Sequence, residues 1–515
     1  MDSLPRSRWR RVAGPAAGAA GLGAGHLSAA LTTPQSSPIL AVGSVVIDHT
    51  PTPLKEWAIA HFGSNDKTVL IASVAAGVAA LTVVIGLIAA RRRRGFVLGA
   101  LGLVGLSAIA GACALSRPEA GPGAAVPSLV TAVVAVMALR LVLAADDRPN
   151  RALPDGPAPT SGRVTRRATL IASGLSAALA ACLGLSGQWV IRRRARAEAI
   201  TLPPPSSPAP ALPNGLDRMV PGITPFRTPN SAFYRVDTRL DVPVVDSSSW
   251  RLHIDGDVEH SFSLTYADLL AMPLIERDIT LTCVSNSVGG PYVGGARWLG
   301  VPLATVLERA GVGPHADQIL STDVDGMTIS TPVALAMDGR DAMIAVGMNG
   351  SPLPRAHGFP ARLVIPGLYG FISATKWVTR LTLTQYADAT AYWTERGWAT
   401  DAPIRISSRI DTPRPLAALK AGDVVIGGVA WAQEKGGVAA VEVQIDGGGW
   451  LPATLGPSGG NDYWRQWFFR WPATSGQHRL SCRVRDGRGD TQSPVRATPF
   501  PAGASGLQSI IVSVS

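Results

Sequence analysis

The apolar residues of this 515-residue chain are so unevenly spread that its two ends cannot share one solvent. The first two-fifths holds long Ala, Leu, Val and Gly runs, and the remainder alternates like globular sequence. Five runs, at about 12–31, 68–90, 95–115, 126–145 and 168–191, are each long enough to cross roughly 30 Å of hydrocarbon. Mean hydropathy is +0.21, high for a wholly soluble protein. The pattern predicts an all-α, five-span transmembrane region over 1–195. The first run is built of Gly and Ala, residues that let helices pack closely in lipid.

A formal net charge of +11 invites a nucleic-acid reading, but the arginines sit in the wrong places for it. Many flank apolar runs, where they set topology, and no basic stripe interleaves with aromatics. Arg6, Arg8, Arg10 and Arg11, then Arg91 to Arg94, then Arg148, Arg151, Arg163, Arg166 and Arg167 fall on one face if there are five spans. That face is then the cytoplasm, and the C-terminal half lies outside. The cluster Arg192 to Arg196 runs against this order. Thr165-Arg166-Arg167-Ala168-Thr169-Leu170 also resembles a twin-arginine export signal, a route for folded, cofactor-loaded proteins. Among polar residues the spans offer little beyond His26, and a membrane haem would want paired histidines. Leu54 to Phe62, with Trp57, suits an amphipathic helix at the interface with lipid.

Thr201-Leu-Pro-Pro-Pro-Ser-Ser-Pro-Ala-Pro-Ala-Leu-Pro reads as an extended, semi-rigid spacer, so 196–222 is taken as a linker. Beyond it, strands and helices mix without a regular βαβ repeat, which predicts α+β over 223–402. Asp278 to Thr282 alternates as a strand ending at Cys283, Thr265 reads as the N-cap of a short helix, and Gly311 as the stop of another. From about Pro403, short strands split by Gly, Pro and Asp turns predict a β-sandwich over 403–515.

Two constellations carry chemistry. Of four cysteines, only Cys283 lies in a polar, glycine-rich context, and none belongs to a CxxC pair. A thiolate at a strand end suits a redox metal. A lone Cys is more often a small core hydrophobe, and a nucleophilic thiol would want a His partner. The second constellation, His357 to Lys376, gathers His357, Arg362, Ser373, Thr375 and Lys376 around Pro/Gly turns. These are the donors a phosphate-bearing ligand needs.

Leu281-Thr-Cys283-Val-Ser-Asn, Gly295-Ala-Arg297-Trp298, Met348-Asn-Gly-Ser-Pro-Leu-Pro-Arg-Ala-His357-Gly-Phe-Pro-Ala-Arg362 and Pro366-Gly-Leu-Tyr-Gly to Lys376-Trp377 together resemble the sulfite-oxidase family of molybdopterin enzymes, over roughly Thr228 to Thr384. The section after Ser407 resembles that family's immunoglobulin-like dimerisation domain. The helical part resembles a bacterial membrane-anchored subgroup. The resemblance implies Cys283 as the molybdenum ligand and His357, Arg362 and the run Ser373, Ala374, Thr375 and Lys376 as holders of the pterin and its phosphate. It implies Asp323 as a pterin-binding acid, and Phe233, Tyr234, Arg235 and Asp237, with Asn230 beside them, as a segment lining the pocket. Arg235 falls where sulfite oxidases place an anion-binding arginine.

Two departures stand out. Ser285, Asn286 and Ser287 replace a motif that usually carries arginines, and no tyrosine follows Trp393 at the family spacing. Both weaken the case for sulfite itself. The expectation is two-electron oxygen-atom transfer on a small sulfur oxyanion or S-oxide. A methionine-sulfoxide-type reductase and a non-enzymatic membrane scaffold with a degenerate site are the rivals. The sequence has no CxxCH haem motif and no iron-sulfur cysteine set. An external electron partner, a cytochrome or a quinone-linked protein, is therefore expected, together with membrane lipid and a homodimer through the C-terminal domain.

Overall fold

The computed structural model describes residues 12–62, 66–91, 95–117, 120–147, 161–194 and 200–515. Arg6 to Arg11, Arg92 to Arg94, Arg148, Arg151 and Arg196, on which part of the topology argument rests, lie outside the described residues, as does the expected boundary at 195. The chain divides into two units. One comprises Met1–Glu198 with Asp237–Val244, and the other Ala199–Val236 with Val245–Ser515.

The first unit is helical: α1 Ala13–Leu31, α2 Pro38–His49, α3 Thr52–Phe62, α4 Asp66–Arg91, α5 Gly95–Leu115, α6 Val126–Asp147 and α7 Ser161–Arg194. Among the described residues four segments are long and apolar enough to cross a membrane, in α4, α5, α6 and α7. The first run of the sequence is not one of them, although it does form a helix of 19 residues. The structure supplies a reason for its weak hydropathy. Helix α1 packs against α4, α6 and α7, and its glycines sit where a Cβ would collide with them: Gly14 on Thr82 and Gly86, Gly21 on Thr131 and Ala135, Gly23 on Ala180. A helix lined by protein needs smallness rather than lipid-facing bulk. The lipid-facing type of residue appears instead on its neighbours, where Leu129, Leu141, Leu175 and Leu185 are exposed.

The second unit opens with a correction. Residues 201–213 are extended, but they are no free spacer. The amides of Ser206 and Ser207 donate to Leu274 O at 2.8 and 3.3 Å, and Glu276 N donates to Ser207 O at 2.9 Å. Ser207 forms a parallel bridge with Ile275. The proline-rich run thus covers the edge of strand β3 (Ile275–Thr282), and an edge that is covered cannot recruit another chain.

Two sheets form the α+β part. The first has the order β2 (Phe262–Thr265), β1 (Arg251–Gly256), β10 (Val378–Thr384), β5 (Gln318–Asp323) and β6 (Thr328–Pro332). Only β1 and β10 pair in parallel; its other pairings are antiparallel. The second runs β3, β4 (Val293–Pro302), β7 (Met343–Met348) and β8 (Ser351–Pro352), with β9 (Arg362–Val364) added beside β7. Thr265 caps the helix Tyr266–Ala271 in a capping box with Asp268, and Gly311 ends the helix Leu303–Ala310 at φ 65°. Both follow the sequence expectation.

The last part is a two-sheet sandwich. One sheet is β11 (Ser407–Thr412), β13 (Gly422–Trp431), β17 (Arg465–Ala473) and β16 (Thr454–Leu455). The other is β12 (Ala418–Leu419), β19 (Gln508–Val514), β18 (Gly476–Asp486), β14 (Val438–Ile445) and β15 (Leu451–Pro452). Ile426, Val443, Trp467, Cys482, Val484 and Val512 fill the space between them, as alternation on facing strands requires.

Candidate cofactor site

Strand β3 delivers Cys283 and then stops. The Cys283 amide donates to Tyr292 O at 3.0 Å, prolonging the β3–β4 ladder by one residue. The loop then closes on itself: Asn286 N donates to Cys283 O at 3.0 Å, and Asn286 Oδ1 accepts from Tyr292 N at 2.8 Å. The thiol is buried, and burial pushes its pKa up against opposing pulls from Ser285 hydrogen bonds and the Lys376 charge. Lys376 is the nearby cation that would favour the ionised form of the sulfur.

The His357–Lys376 segment supplies the rest. His357 ends a single tight turn, and Gly358 follows at φ 112°. A Cβ on Gly358 would lie 3.0 Å from Arg362 Cβ and 3.1 Å from Lys376 Cβ, so only glycine lets these two cationic residues come together here. Arg362 and Lys376 face each other across an antiparallel bridge. Arg362 is 5% exposed. Its guanidinium donates to His357 O at 3.1 Å and Leu363 O at 3.4 Å, and lies 5.1 Å from the centre of the buried Trp298 ring. Among the described residues it forms no salt bridge, and burial pulls its pKa down to about 10. Its charge survives at neutral pH, buried and without a carboxylate.

His357 is the neutral member. Burial, with help from Arg362, Lys376 and Arg235, lowers its pKa to about 4, against the pull of its hydrogen bond to Asn230. Its Nε2 lies 2.9 Å from Asn230 O. Nε2 must therefore carry the proton and donate, which leaves Nδ1 as an acceptor.

The pocket-lining segment reaches the same place. Phe233 packs edge-on against Trp298 at 5.8 Å and His357 at 5.6 Å. Tyr234 stacks on Phe233 at 5.2 Å and meets Tyr292 at 6.4 Å. The phenol of Tyr234 is pushed well above its usual pKa by burial and by Cys283, with Arg362 opposing. Arg235 is exposed, within electrostatic reach of His357.

Not every expected residue points into this group. Ser373 Oγ donates to Leu368 O and Tyr369 O at 3.1 and 3.0 Å, and Thr375 Oγ1 pairs with Ser321 Oγ at 2.6 Å. Both hydroxyls therefore anchor the loop they belong to, and Ala374 N donates to Gly370 O at 3.1 Å. Asp323 Oδ1 accepts from the amides of Asp325 and Met327 at 2.8 and 3.1 Å, shaping a turn. Asn230 Oδ1 accepts from Asn349 Nδ2 at 2.7 Å. Asp237 belongs to the helical unit, where its carboxylate pairs with Lys67 Nζ at 2.6 Å.

Sequence reasoning missed three contributors. Trp298 floors Arg362, and its own Nε1 is spent on Ile279 O at 3.1 Å. Tyr292 completes the aromatic wall. Tyr369 is buried, with its phenol pushed up to about 12 by burial and by Cys283, against Arg405. Trp298 stood inside a recognised motif, but nothing in its spacing announced a ring under a cation.

Among the described residues no cluster of three or more His, Cys, Asp or Glu could hold a bare metal ion. A single thiolate can serve a metal only if the metal arrives with most of its own ligands. The buried cation of Arg362, which forms no salt bridge among the described residues, fits an anionic guest. These residues fit a molybdopterin.

Comparison with known proteins agrees. The model of the oxidoreductase molybdopterin binding domain matches residues 239–393. Human mitochondrial sulfite oxidase is 32% identical over 322 residues, covering 52% of this chain and 58% of that protein. Chicken sulfite oxidase is 30% identical over 309 residues, covering 51% and 67%. The chain thus spans little more than half the length of the human relative. In fold, it resembles the sulfane dehydrogenase SoxCD of Paracoccus pantotrophus, with a TM-score of 0.50 and 24% identity over 56% of this chain and 83% of that one. With its buried cysteine, its uncompensated arginine and this sequence likeness, the chain belongs to the sulfite-oxidase family of molybdopterin-dependent oxidoreductases.

Proposed function

We propose that the protein is held in a bacterial cytoplasmic membrane by its helices and carries out two-electron oxygen-atom transfer on a small sulfur oxyanion or S-oxide, on the outer face. The observation that carries the reading is Arg362. A buried guanidinium without a counter-ion is costly, and a family cofactor with a phosphate repays it.

Within this reading Cys283 binds molybdenum as thiolate, and Lys376 favours that ionised form. Arg362 and Lys376 take the phosphate end. His357, neutral and with Nδ1 free to accept, holds a donor edge of the pterin. Phe233 and Tyr234 wall the site from water, and Asn230 fixes the His357 ring. Bound there, molybdopterin supplies a two-electron redox centre able to exchange an oxygen atom. Arg235, exposed at the rim, attracts an anionic or S-oxide substrate. An external cytochrome or quinone-linked protein would supply or accept the electrons, and the sandwich offers a surface for a homodimer.

One feature favours the reductase direction as a second reading. Ser285, Asn286 and Ser287 leave the loop after Cys283 neutral, and Tyr234 with Tyr292 presents aromatic surface. That suits an organic S-oxide better than sulfite.

Molybdenum and organic phosphate should be measured in detergent-purified wild type and Cys283→Ser. About one molybdenum per chain, the stoichiometry of a single thiolate site, with Cys283→Ser inactive in both sulfite oxidation and S-oxide reduction, is expected. Wild type without molybdenum from a pterin-competent host would leave a binding or scaffold role. The direction of turnover separates the two enzymatic readings.

A further inference from the structure

The loop after Cys283 is locked at both ends, and Ser285 stands inside it. The chain reverses at once: Asn286 N donates to Cys283 O at 3.0 Å, closing the four-residue turn Cys283-Val284-Ser285-Asn286. Asn286 is buried, and its Oδ1 accepts from Tyr292 N at 2.8 Å. A second turn follows, in which Gly290 N donates to Ser287 O at 2.8 Å. A Cβ on Gly290 would lie 2.6 Å from Asn286 Oδ1, so the two turns are pressed together. Arg409 Nη1 holds Gly290 O from the sandwich at 2.8 Å. Val284 to Gly290 carries no charged side chain, yet the segment is held as firmly as a strand.

In a turn of this kind an acceptor on the first side chain meets the amide two residues on, as in Asx turns. Here that acceptor is sulfur. Both the amide and the hydroxyl of the half-buried Ser285 hydrogen-bond to Cys283. A donor aimed at a metal-bound thiolate draws electron density from it, and hydrogen bonds to ligand sulfur are one of the levers that set a metal's potential. Resting on the oxidoreductase reading above, we propose that Ser285 is a positioning residue for the metal centre: acting through the Cys283 sulfur, its two hydrogen bonds raise the reduction potential of the bound molybdenum and favour its reduced state. Because the turn is closed by Asn286 and Tyr292, both donors are in place before the metal arrives and need no reorganisation. The neutral loop thereby gains a role of its own. Where it brings no arginine to the substrate, it brings donors to the ligand.

The test uses the full chain, cofactor-loaded, in detergent. Wild type, Ser285→Ala, Ser285→Thr and Ser287→Ala are compared at matched molybdenum content. The one-electron-reduced metal is followed by electron paramagnetic resonance while the ambient potential is stepped. Ser285→Ala keeps the amide and loses the hydroxyl. At a fixed potential its ratio of oxidised to one-electron-reduced metal should rise about tenfold, which for a one-electron couple is a fall of about 59 mV in midpoint. Ser285→Thr restores a hydroxyl donor and should stay within about twofold of wild type. The side chain of Ser287 is exposed on the same loop, and Ser287→Ala should also leave the ratio within about twofold. A ratio in Ser285→Ala within about twofold of wild type, too small a change for a lost donor to a ligand, overturns the proposal. An equal shift in Ser287→Ala does so too, because it would mark a general disturbance of the loop. Should Ser285→Ala fail to take up molybdenum, Ser285→Gly is titrated in its place: the same shift supports the proposal, and no shift refutes it. Wild type that binds no molybdenum would instead sink the oxidoreductase reading, and the tuning with it. Amide exchange over 284–290 in cofactor-free wild type and Cys283→Ala would still report on the bonds themselves. Exchange about tenfold faster in the variant supports them, and unchanged exchange refutes them.

Discussion

Two buried arginines in this molecule look alike by exposure and differ in everything else. Arg409, in the sandwich, is 8% exposed. Its Nε donates to Asp411 Oδ1 at 2.6 Å, and its other nitrogens reach Gly290 O and Thr224 Oγ1, each at 2.8 Å. Arg362, in the candidate site, is 5% exposed, and among the described residues it meets main-chain carbonyls and an indole face. The two buried cysteines repeat the contrast. Cys482 sits in the sandwich core, accepts from Ser408 Oγ at 3.1 Å, and has its pKa pushed up to about 12. Cys283 has Lys376 acting on it and Tyr234 and Tyr369 nearby. A buried charge paired from within is architecture, and a buried charge with no counter-ion among the described residues is the stronger pointer to an anionic ligand.

The cysteines give the largest expected effect. Cys283→Ser should lower oxygen-atom-transfer turnover by at least about 100-fold, beyond what outer-shell changes around metals usually cost. Cys482→Ala should leave turnover within about twofold and lower stability by roughly 1–2 kcal/mol, as removal of a small buried group predicts. Equal loss of turnover in both variants, measured at matched molybdenum content, would erase the contrast.

The arginines should respond with opposite signs. Arg409→Met strands the Asp411 carboxylate, which is 8% exposed, and should cost about 3–5 kcal/mol in denaturant unfolding. Arg362→Met removes a charge that has no counter-ion among the described residues. In protein from a host unable to make pterin, it should be neutral or stabilising by about 1–2 kcal/mol. With cofactor present, the same change gives up roughly 1.5–3 kcal/mol of charge-assisted bonding, so retention of the phosphate-bearing group should fall at least about tenfold. Destabilisation of the cofactor-free protein by Arg362→Met would mean that the cradle is satisfied from within after all.

How much of this was legible in the sequence follows the same line. Periodicity and turn chemistry placed β3, the Thr265 cap, the Gly311 stop and the sandwich strands, because those depend on local residues. Motif order brought Cys283, His357, Arg362 and Lys376 to one place. Contacts that depend on a distant partner were not legible. The composition of 201–213 says extended, but only the tertiary structure shows it lying along β3. The Gly and Ala of α1 looked like a weak span, and the structure shows a helix enclosed by protein. Asp237 matched a motif position, yet its partner, Lys67, lies 170 residues away. Ser373 and Thr375 matched too, but their hydroxyls turn inward to hold the loop.

Asp462 is the case best able to break the comparison, and its effect is the smallest. Its carboxylate accepts from Glu434 N at 3.1 Å, lies in a cleft lined also by Asp278 and Asp341, and has its pKa raised to about 6 by burial and by Glu434. It is thus a second ionisable group in an unfavourable setting, far in sequence from the cofactor cradle. An acid whose folded pKa is raised holds its proton longer in the folded state, so the folded state binds more protons between about pH 4 and pH 6. Stability from this group is fully present below about pH 4 and is lost as pH rises through about 6. Asp462→Asn removes that loss and keeps an oxygen for the Glu434 amide. The variant should gain about 1–2 kcal/mol over wild type at pH 7.5, less than the full shift allows because the group is partly solvated, and almost nothing at pH 4. Unfolding midpoints of both proteins in the same detergent at the two pH values measure it. If turnover and molybdenum content also stay at wild-type levels, an ionisable group under strain is not by itself the mark of a site, and the missing counter-ion of Arg362 remains the sharper criterion. If Asp462→Asn instead lowers turnover at matched molybdenum content, that cleft belongs to the working enzyme, and the division between cradle and sandwich does not separate function from architecture.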